Sequence, residues 1–356
     1  MSQRVSPVST RVNLRPVDEL RSPINDQESH AAIHSGRVAL ITGAASGIGL
    51  AAAWELAAEG LKIVMADIDA TKLEVSAKEL SAQFGEANIL AVPTDVSKLD
   101  QVQALADRTL ETFGEVNVLM NNAGVGSAGS STWSGRDVWT KILDVNLWGV
   151  INMLQVFTNS MIHQENPSLI INTGSKQGIT SPPGNPAYNV SKAGVKVITE
   201  NLSHELRTQG TKVTAHLFVP GWTFTGMTAG SNQEKPPGAW TAKQTVQYML
   251  SRVRDGEFYI ICPDNETSED LDRLRIRWAA DDLVERRPAL SRWHPLYKPL
   301  FEEYVREGLH EFNGGSHSHI HSAARTPQYS REPSRTRNKG RDRDVDLVTS
   351  RLHDNL

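Results

Sequence analysis

The chain has 356 residues, and 37 Lys and Arg against 41 Asp and Glu leave a formal net charge of −4. That near-balance excludes nucleic-acid binding by broad phosphate neutralisation, and a single cysteine, Cys262, excludes a disulfide framework or a multi-cysteine zinc site. Hydrophobic residues are 39%; counted with Gly and without Tyr they reach about 45%, inside the globular range, and no apolar run of about 18 residues is present to span a membrane.

Residues 1–35 mix Ser, Pro, Arg and acids without a period of 2 or 3.6, and the acids and the missing apolar run argue against a transit or secretory segment. A disordered N-terminal extension is predicted there. The pattern then changes. Short, continuously apolar strands are predicted over 37–42, 62–67, 89–93, 116–124, 168–175, 211–221 and 257–264. Helices are predicted over 50–59, 71–83, 99–112, 137–157 and 187–207. Continuous apolar strands alternating with helices predict an α/β fold, a single doubly wound Rossmann domain over 36–264 with a seven-stranded parallel sheet. Residues 265–312 read as a helical C-terminal extension, in which Leu271, Leu274, Ile276, Trp278 and Leu283 form an amphipathic helix and the aromatic-rich stretch 287–309 can pack across a subunit boundary. Residues 313–356 have too few large apolar side chains to offset the entropy of ordering and are predicted disordered. His317, His319 and His321 stand in that tail without a Cys or carboxylate cluster, so no metal site is assigned.

The first predicted strand runs into Thr42-Gly43-Ala44-Ala45-Ser46-Gly47-Ile48-Gly49. Glycines between a strand and a helix let the backbone turn tightly and approach a pyrophosphate at the helix N-terminus, where amides and the helix dipole favour negative charge. The second strand ends at Asp67, whose carboxylate can accept hydrogen bonds from both ribose hydroxyls and repels a 2′-phosphate. No Lys or Arg among Ala44, Ala45 and Ser46 offsets that repulsion, and Ile68 follows. The cofactor expected is NAD rather than NADP.

Tyr188 and Lys192 lie four apart at the start of a helix and so share a face. A Tyr hydroxyl with its ordinary pKa near 10 is a poor base at neutral pH, and a neighbouring ammonium is expected to lower it. Ser175, at the carboxyl end of the fifth strand, stands where ligands of open parallel sheets bind. Its hydroxyl can donate to a substrate carbonyl while Tyr188 transfers the proton.

With TGAASGIG at 42–49, Asp95-Val96, NNAG at 121–124, Asn146 within DVNLWG, Ser175, Tyr188-Asn-Val-Ser-Lys192 and Pro220-Gly221, the chain from about 36 to 264 resembles the short-chain dehydrogenase/reductases of the common NAD(P)-dependent type. The resemblance implies a catalytic set of Asn146, Ser175, Tyr188 and Lys192: Tyr188 as acid/base, Lys192 lowering its pKa and binding nicotinamide-ribose hydroxyls, Ser175 orienting the substrate oxygen and Asn146 holding a water of the proton relay. It implies that Asp95 meets the adenine amino group beside Val96, that Asn122, Ala123 and Gly124 line the adenosine side, and that the stretch after Pro220-Gly221, with Thr223 and Thr225, contacts the carboxamide. It also implies reversible hydride transfer between NAD and a secondary alcohol/ketone, a homodimer or homotetramer formed through the two long helices, and a lid at 225–241. An NADP-dependent carbonyl reductase and a catalytically silent dinucleotide-binding regulatory protein are the competing readings. Trp222, Phe224, Met227, Trp240, Pro182 and Pro183 either wall a partly apolar substrate site or pack the lid onto the domain. Lys176 and His216 receive no assignment. A cytoplasmic small-molecule enzyme, with no nucleic-acid or membrane partner, is expected.

Overall fold

The computed structural model describes residues 31–126, 131–230 and 232–312. The predicted disorder over 1–30 and 313–356, and His317, His319 and His321, lie outside these residues.

Seven parallel strands form one sheet: β1 (Val38–Thr42), β2 (Lys62–Asp67), β3 (Ile89–Pro93), β4 (Val118–Asn121), β5 (Ser168–Thr173), β6 (Val213–Val219) and β9 (Tyr259–Ile261). They run in the order β3-β2-β1-β4-β5-β6-β9. β1, β4 and β5 are buried along their whole length, the reason their sequences read as apolar runs rather than alternations. Helices α1 (Gly47–Ala58), α2 (Ala70–Phe84) and α3 (Leu99–Phe113) make the first crossovers. α4 (Arg136–Leu143), a single π-turn (Asp144–Trp148) and α5 (Gly149–His163) form one helical run, followed after β5 by the short α6 (Gln177–Thr180) and by α7 (Pro186–Thr208). Two apolar clusters cover the two faces of the sheet.

Three local differences from the sequence reading have physical causes. Ala32 and Ile33 are buried in the core cluster beneath α1, so the folded chain begins before the expected start at Gly36. The last strand is short, and the crossover leading to it is α8 (Ala242–Arg254), which was not among the predicted helices. Thr241 and Gln244 close a reciprocal capping box at its N-terminus, and Val246, Met249, Leu250 and Val253 press its apolar face onto the core beside α1. Before α8, a two-residue parallel ladder joins β7 (Thr223–Phe224) to β8 (Trp240–Thr241) and pins both ends of the intervening loop.

The extension is α9 (Glu269–Val284) and α10 (Lys298–Phe312). Trp278, Tyr297 and Phe301 form their own buried cluster, Trp278 stacks edge-on against Phe301 at 5.4 Å, and its Nε1 donates to Ser291 Oγ at 2.7 Å. Tyr297 and Phe301 are thus packed within the chain, while Leu290 and Leu296 of the same stretch are exposed. Leu283, grouped with Trp278 by sequence, is exposed.

Candidate active site

In an open parallel sheet the strand order reverses between β1 and β4, and the loops at the carboxyl ends diverge there to leave a crevice. A cleft of about 1190 Å³ opens at this edge, lined from the loops after all seven strands and from α9.

At its β1 end, Gly43 has φ +66° and Gly47 φ +56°, the left-handed region that glycine occupies without strain. A Cβ on Gly43 would lie 3.0 Å from Ala123 Cα, and one on Gly49 would overlap the Gly43 carbonyl oxygen. The loop is bare backbone, and the Ser46 side chain makes no capping hydrogen bond at the start of α1, which leaves the first-turn amides facing a cradle that suits a phosphate. Gly49→Ala is expected to destabilise the fold by about 1–3 kcal/mol through this overlap, read as a lower urea midpoint; an unchanged midpoint would show that the loop yields freely.

Thr42 ties the loop to β4: its Oγ1 accepts from the Asn122 and Ala123 amides at 3.0 Å each, and Asn122 Nδ2 donates to the Thr42 carbonyl at 3.1 Å. Asp67 accepts from Ala45 N and Asp69 N, both at 3.0 Å, so its carboxylate faces the glycine loop. Ile68 beside it is 70% exposed and lines the cleft. Asp95 Oδ1 accepts from Ser97 N and Oγ, and Val96 is buried under Gly149.

At the other end, β5 delivers Ser175 and the first turns of α7 deliver Tyr188 and Lys192. Pro186 at the helix start favours this entry because the first turn has no use for its missing N–H. Ser175 and Tyr188 both line the cleft, and the Ser175 Oγ accepts from the Gln177 amide at 3.2 Å. Lys192 is buried, its Nζ donates to the Thr173 carbonyl at 2.8 Å and lies 5.8 Å from the Tyr188 ring centroid. Gly178 lets α6 lie against the α7 backbone here; a Cβ would come 2.5 Å from the Lys192 carbonyl carbon. Burial pushes the Lys192 ammonium down to about 8. Burial also raises the Tyr188 hydroxyl, with the Ser175 hydrogen bond pulling the other way. The sequence expectation of a lowered Tyr188 pKa is therefore reversed: desolvation outweighs the opposing pull of Ser175, and the Lys192 ammonium is directed at the Thr173 carbonyl.

Asn146, expected to hold a water at the site, is fully buried in the π-turn and does not line the cleft. Its Oδ1 accepts from Val125 N at 2.7 Å, and its Nδ2 donates to the Val125 carbonyl and to Ser191 Oγ. It fastens the loop after β4 to α7. Gly49 is likewise beneath the lining; the other predicted residues, Gly43, Ser46, Gly47, Ile48, Asp67, Asp95, Val96, Asn122, Ala123, Gly124, Pro220, Gly221, Thr223 and Thr225, reach it with Ser175, Tyr188 and Lys192. Trp222, Met227 and Pro182 also line the cleft, whereas Phe224, Pro183 and Trp240 do not. Trp240 instead packs edge-on against Tyr248 and donates to Asn265 Oδ1. His216 is buried, bonded to the Glu257 carbonyl and Thr214 Oγ1 and shifted toward its neutral form by burial; it is a strand-holding residue.

Lys176 has a partner set that single-residue reading of the sequence had no way to reveal. Its Nζ meets Asp272 on α9 at 2.6 Å and Asp264 at 3.5 Å, and Asp264 Oδ2 also accepts from Trp222 N. The residue next to Ser175 thus anchors both the extension and the base of the loop after β6. Behind the site, Asn121 Nδ2 donates to Asn172 Oδ1 and Asn172 Nδ2 to Thr199 Oγ1, a buried polar chain linking β4, β5 and α7.

A family model described as short chain dehydrogenase matches residues 37–236. The chain is 35% identical over 223 residues to a 3-oxoacyl-[acyl-carrier-protein] reductase of Thermotoga maritima, covering 63% of this chain and 85% of the relative. It is 31% identical over 252 residues to a 1-deoxy-11-beta-hydroxypentalenate dehydrogenase of Streptomyces exfoliatus, covering 69% and 88%. Among solved structures, a short-chain dehydrogenase/reductase from Burkholderia phymatum in complex with NAD superposes with a TM-score of 0.65 at 33% identity, covering 71% of this chain and 96% of the other. A 3-ketoacyl-(acyl-carrier-protein) reductase from Brucella melitensis complexed with NADH gives 0.54 at 28%, covering 60% and 88%. Matched by that family model over 37–236 and by these relatives, this protein belongs to the short-chain dehydrogenase/reductase family of oxidoreductases and is an enzyme acting on CH–OH donors.

Proposed function

We propose that the protein is an NAD-dependent oxidoreductase that moves a hydride reversibly between NAD and a secondary alcohol/ketone pair, with Tyr188 as its acid/base. The observation that carries this reading is that Ser175, Tyr188 and buried Lys192 open into the same cleft as the glycine loop.

The glycine cradle at Gly43, Ser46 and Gly47 suits the dinucleotide's pyrophosphate, Asp67 its adenosine ribose and Asp95 its adenine, with Asn122 and Gly124 alongside. Thr223 and Thr225 stand for the carboxamide, and Lys192 for the nicotinamide ribose. When bound, the nicotinamide supplies hydride transfer. The chain's own work is to hold the substrate oxygen and to manage its proton. Ser175 donates to that oxygen and orients it. In reduction Tyr188 gives the proton that the new hydroxyl needs; in oxidation, as phenolate, it takes that proton back. Asn146 acts as a positioning residue, through Val125 and Ser191. The exposed Trp148, Val190 and Val197 on the π-turn and α7 suit burial in a homodimer or homotetramer formed through the long helices.

NAD is favoured over NADP because Asp67 places a carboxylate beside the ribose site while Lys72, on the next helix, is occupied by Asp69 at 2.9 Å. Asp67→Asn with Ile68→Arg keeps one oxygen for the Ala45 amide and adds a guanidinium at an exposed cleft position. It is expected to weaken NAD and tighten NADP by about tenfold or more each, the size of one or two charge-assisted hydrogen bonds. Equal Kd ratios in wild type and variant would remove Asp67 as the selector. The reading as a whole is tested by incubating the full chain with NAD and a panel of secondary alcohols and following NADH absorbance. NADH formation is expected; NAD binding without reduction by any alcohol would favour a silent dinucleotide-binding protein.

A further inference from the structure

The substrate end of the cleft carries more charge than a neutral alcohol needs. α9 contributes Asp272, Arg275 and Ile276 to its lining, and the turn before α10 contributes Arg292. Asp272 and Arg275 are three apart on one helical face, and Asp272 grips the lysine that follows Ser175. Arg275 therefore stands one helical turn from the group that ties the extension to Ser175, at the opposite end from Asp67.

Lys176, Arg275 and Arg292 interact with Asp264 and Asp272, so three cations meet two carboxylates and one positive charge is left over. Lys176 uses both carboxylates. Arg275 makes only a long 3.4 Å contact from Nη1 to Thr267 Oγ1, and its Nε is buried without a partner among the described residues. Arg292 forms no ion pair among the described residues; its guanidinium is held by the rings of Trp293 at 4.8 Å and Phe301 at 5.1 Å. Burial and the neighbouring Arg275 push its pKa down to about 10. Two partly desolvated guanidinium groups facing one cleft are costly unless an anion joins them, and their planar forks match a carboxylate.

We propose that Arg275 and Arg292 bind a carboxylate of the substrate, so that the enzyme acts on a hydroxy or oxo acid rather than on a neutral alcohol or ketone. The proposal rests on the oxidoreductase reading and names the substrate class of that same site. Trp222, Met227 and Pro182 then face the apolar body between the carboxylate and the reacting carbon.

The test uses the full chain saturated with NAD and calorimetric titration with hexanoate and octanoate, their amides and octyl phosphate. The carboxylates are expected to bind at least about tenfold more tightly than the matching amides. Arg275→Gln and Arg292→Gln are each expected to erase most of that difference while NAD affinity stays at the wild-type value. Arg292→Lys, which keeps the charge but loses the fork, should fall between, separating lost recognition from a damaged fold. Equal binding of acid and amide, no binding of either acid, or an acid-to-amide ratio untouched by both Gln variants would overturn the proposal. Tighter binding of octyl phosphate than of octanoate would overturn the carboxylate assignment in favour of a phosphate. None of these readouts requires turnover, so a failure of the oxidoreductase reading, seen as absent NAD binding or absent NADH formation, is distinguishable from a failure here.

Discussion

Replacing Tyr188 with Phe is expected to lower turnover by about a hundred- to ten-thousandfold, the usual contribution of a positioned acid/base, while the NAD Kd stays unchanged. The substitution removes one hydroxyl and keeps the ring at the entry of α7, so the cleft retains its shape. The same group sets the pH profile. Burial holds the Tyr188 hydroxyl protonated at neutral pH, ready to donate in reduction, whereas oxidation needs the phenolate. Initial rates of alcohol oxidation should therefore rise with pH through the alkaline range, and rates of ketone reduction should fall there. Retained activity in Tyr188→Phe, or profiles that rise together in both directions, would remove Tyr188 from the acid/base role.

Lys192→Met is expected to separate activity from stability. Turnover should drop because the hold proposed for the nicotinamide ribose is gone, yet the variant should be more stable than the wild type at neutral pH. The folded pKa of Lys192 is depressed to about 8 from 10.5, so below about pH 8 both states are protonated and the full burial penalty is present. Between about 8 and 10.5 the unfolded chain holds a proton that the folded chain has released, and wild-type stability rises with pH; above 10.5 both states are neutral and the penalty is gone. The depression corresponds to on the order of 3 kcal/mol, from which about 1 kcal/mol is lost because the Thr173 carbonyl no longer has its donor. Urea unfolding at a series of pH values should show an advantage of about 2 kcal/mol for Lys192→Met at pH 7 that shrinks toward zero, then reverses, as the pH passes 10. A wild type more stable than the variant at neutral pH would show that Lys192 is not a strained buried charge.

Most of the sheet was legible in the sequence because its strands are buried on both faces, and a strand with no solvent face has no alternation to hide it. The glycine loop was legible because its constraint is local: φ at Gly43 and Gly47 and the missing Cβ of Gly49 depend on a few neighbouring atoms. α8 was not predicted although its signals are local: Val246, Met249, Leu250 and Val253 fall at i, i+3, i+4 and i+7, and Thr241 and Gln244 have the capping-box spacing, but the segment follows a long Gly- and Pro-rich stretch that reads as a lid up to 241. Residue types and order at the site were readable from Ser175, Tyr188 and Lys192. Their ionisation was not, because desolvation depends on what the rest of the chain packs above them: both Lys192 and Tyr188 are shifted chiefly by burial rather than by each other.

By itself the sequence determined the parallel architecture, the placement of the glycine loop against Asp67, and the carboxyl-edge position of Ser175 and Tyr188, all consequences of short-range backbone geometry and strand order. Only the tertiary structure decided that Asn146 is tied down inside a π-turn, that Lys176 fastens the extension to the site through Asp264 and Asp272, and that Arg275 and Arg292 face the cleft. Those relations join residues about 20 to 120 positions apart. Their energies come from distance and burial, which no local pattern encodes.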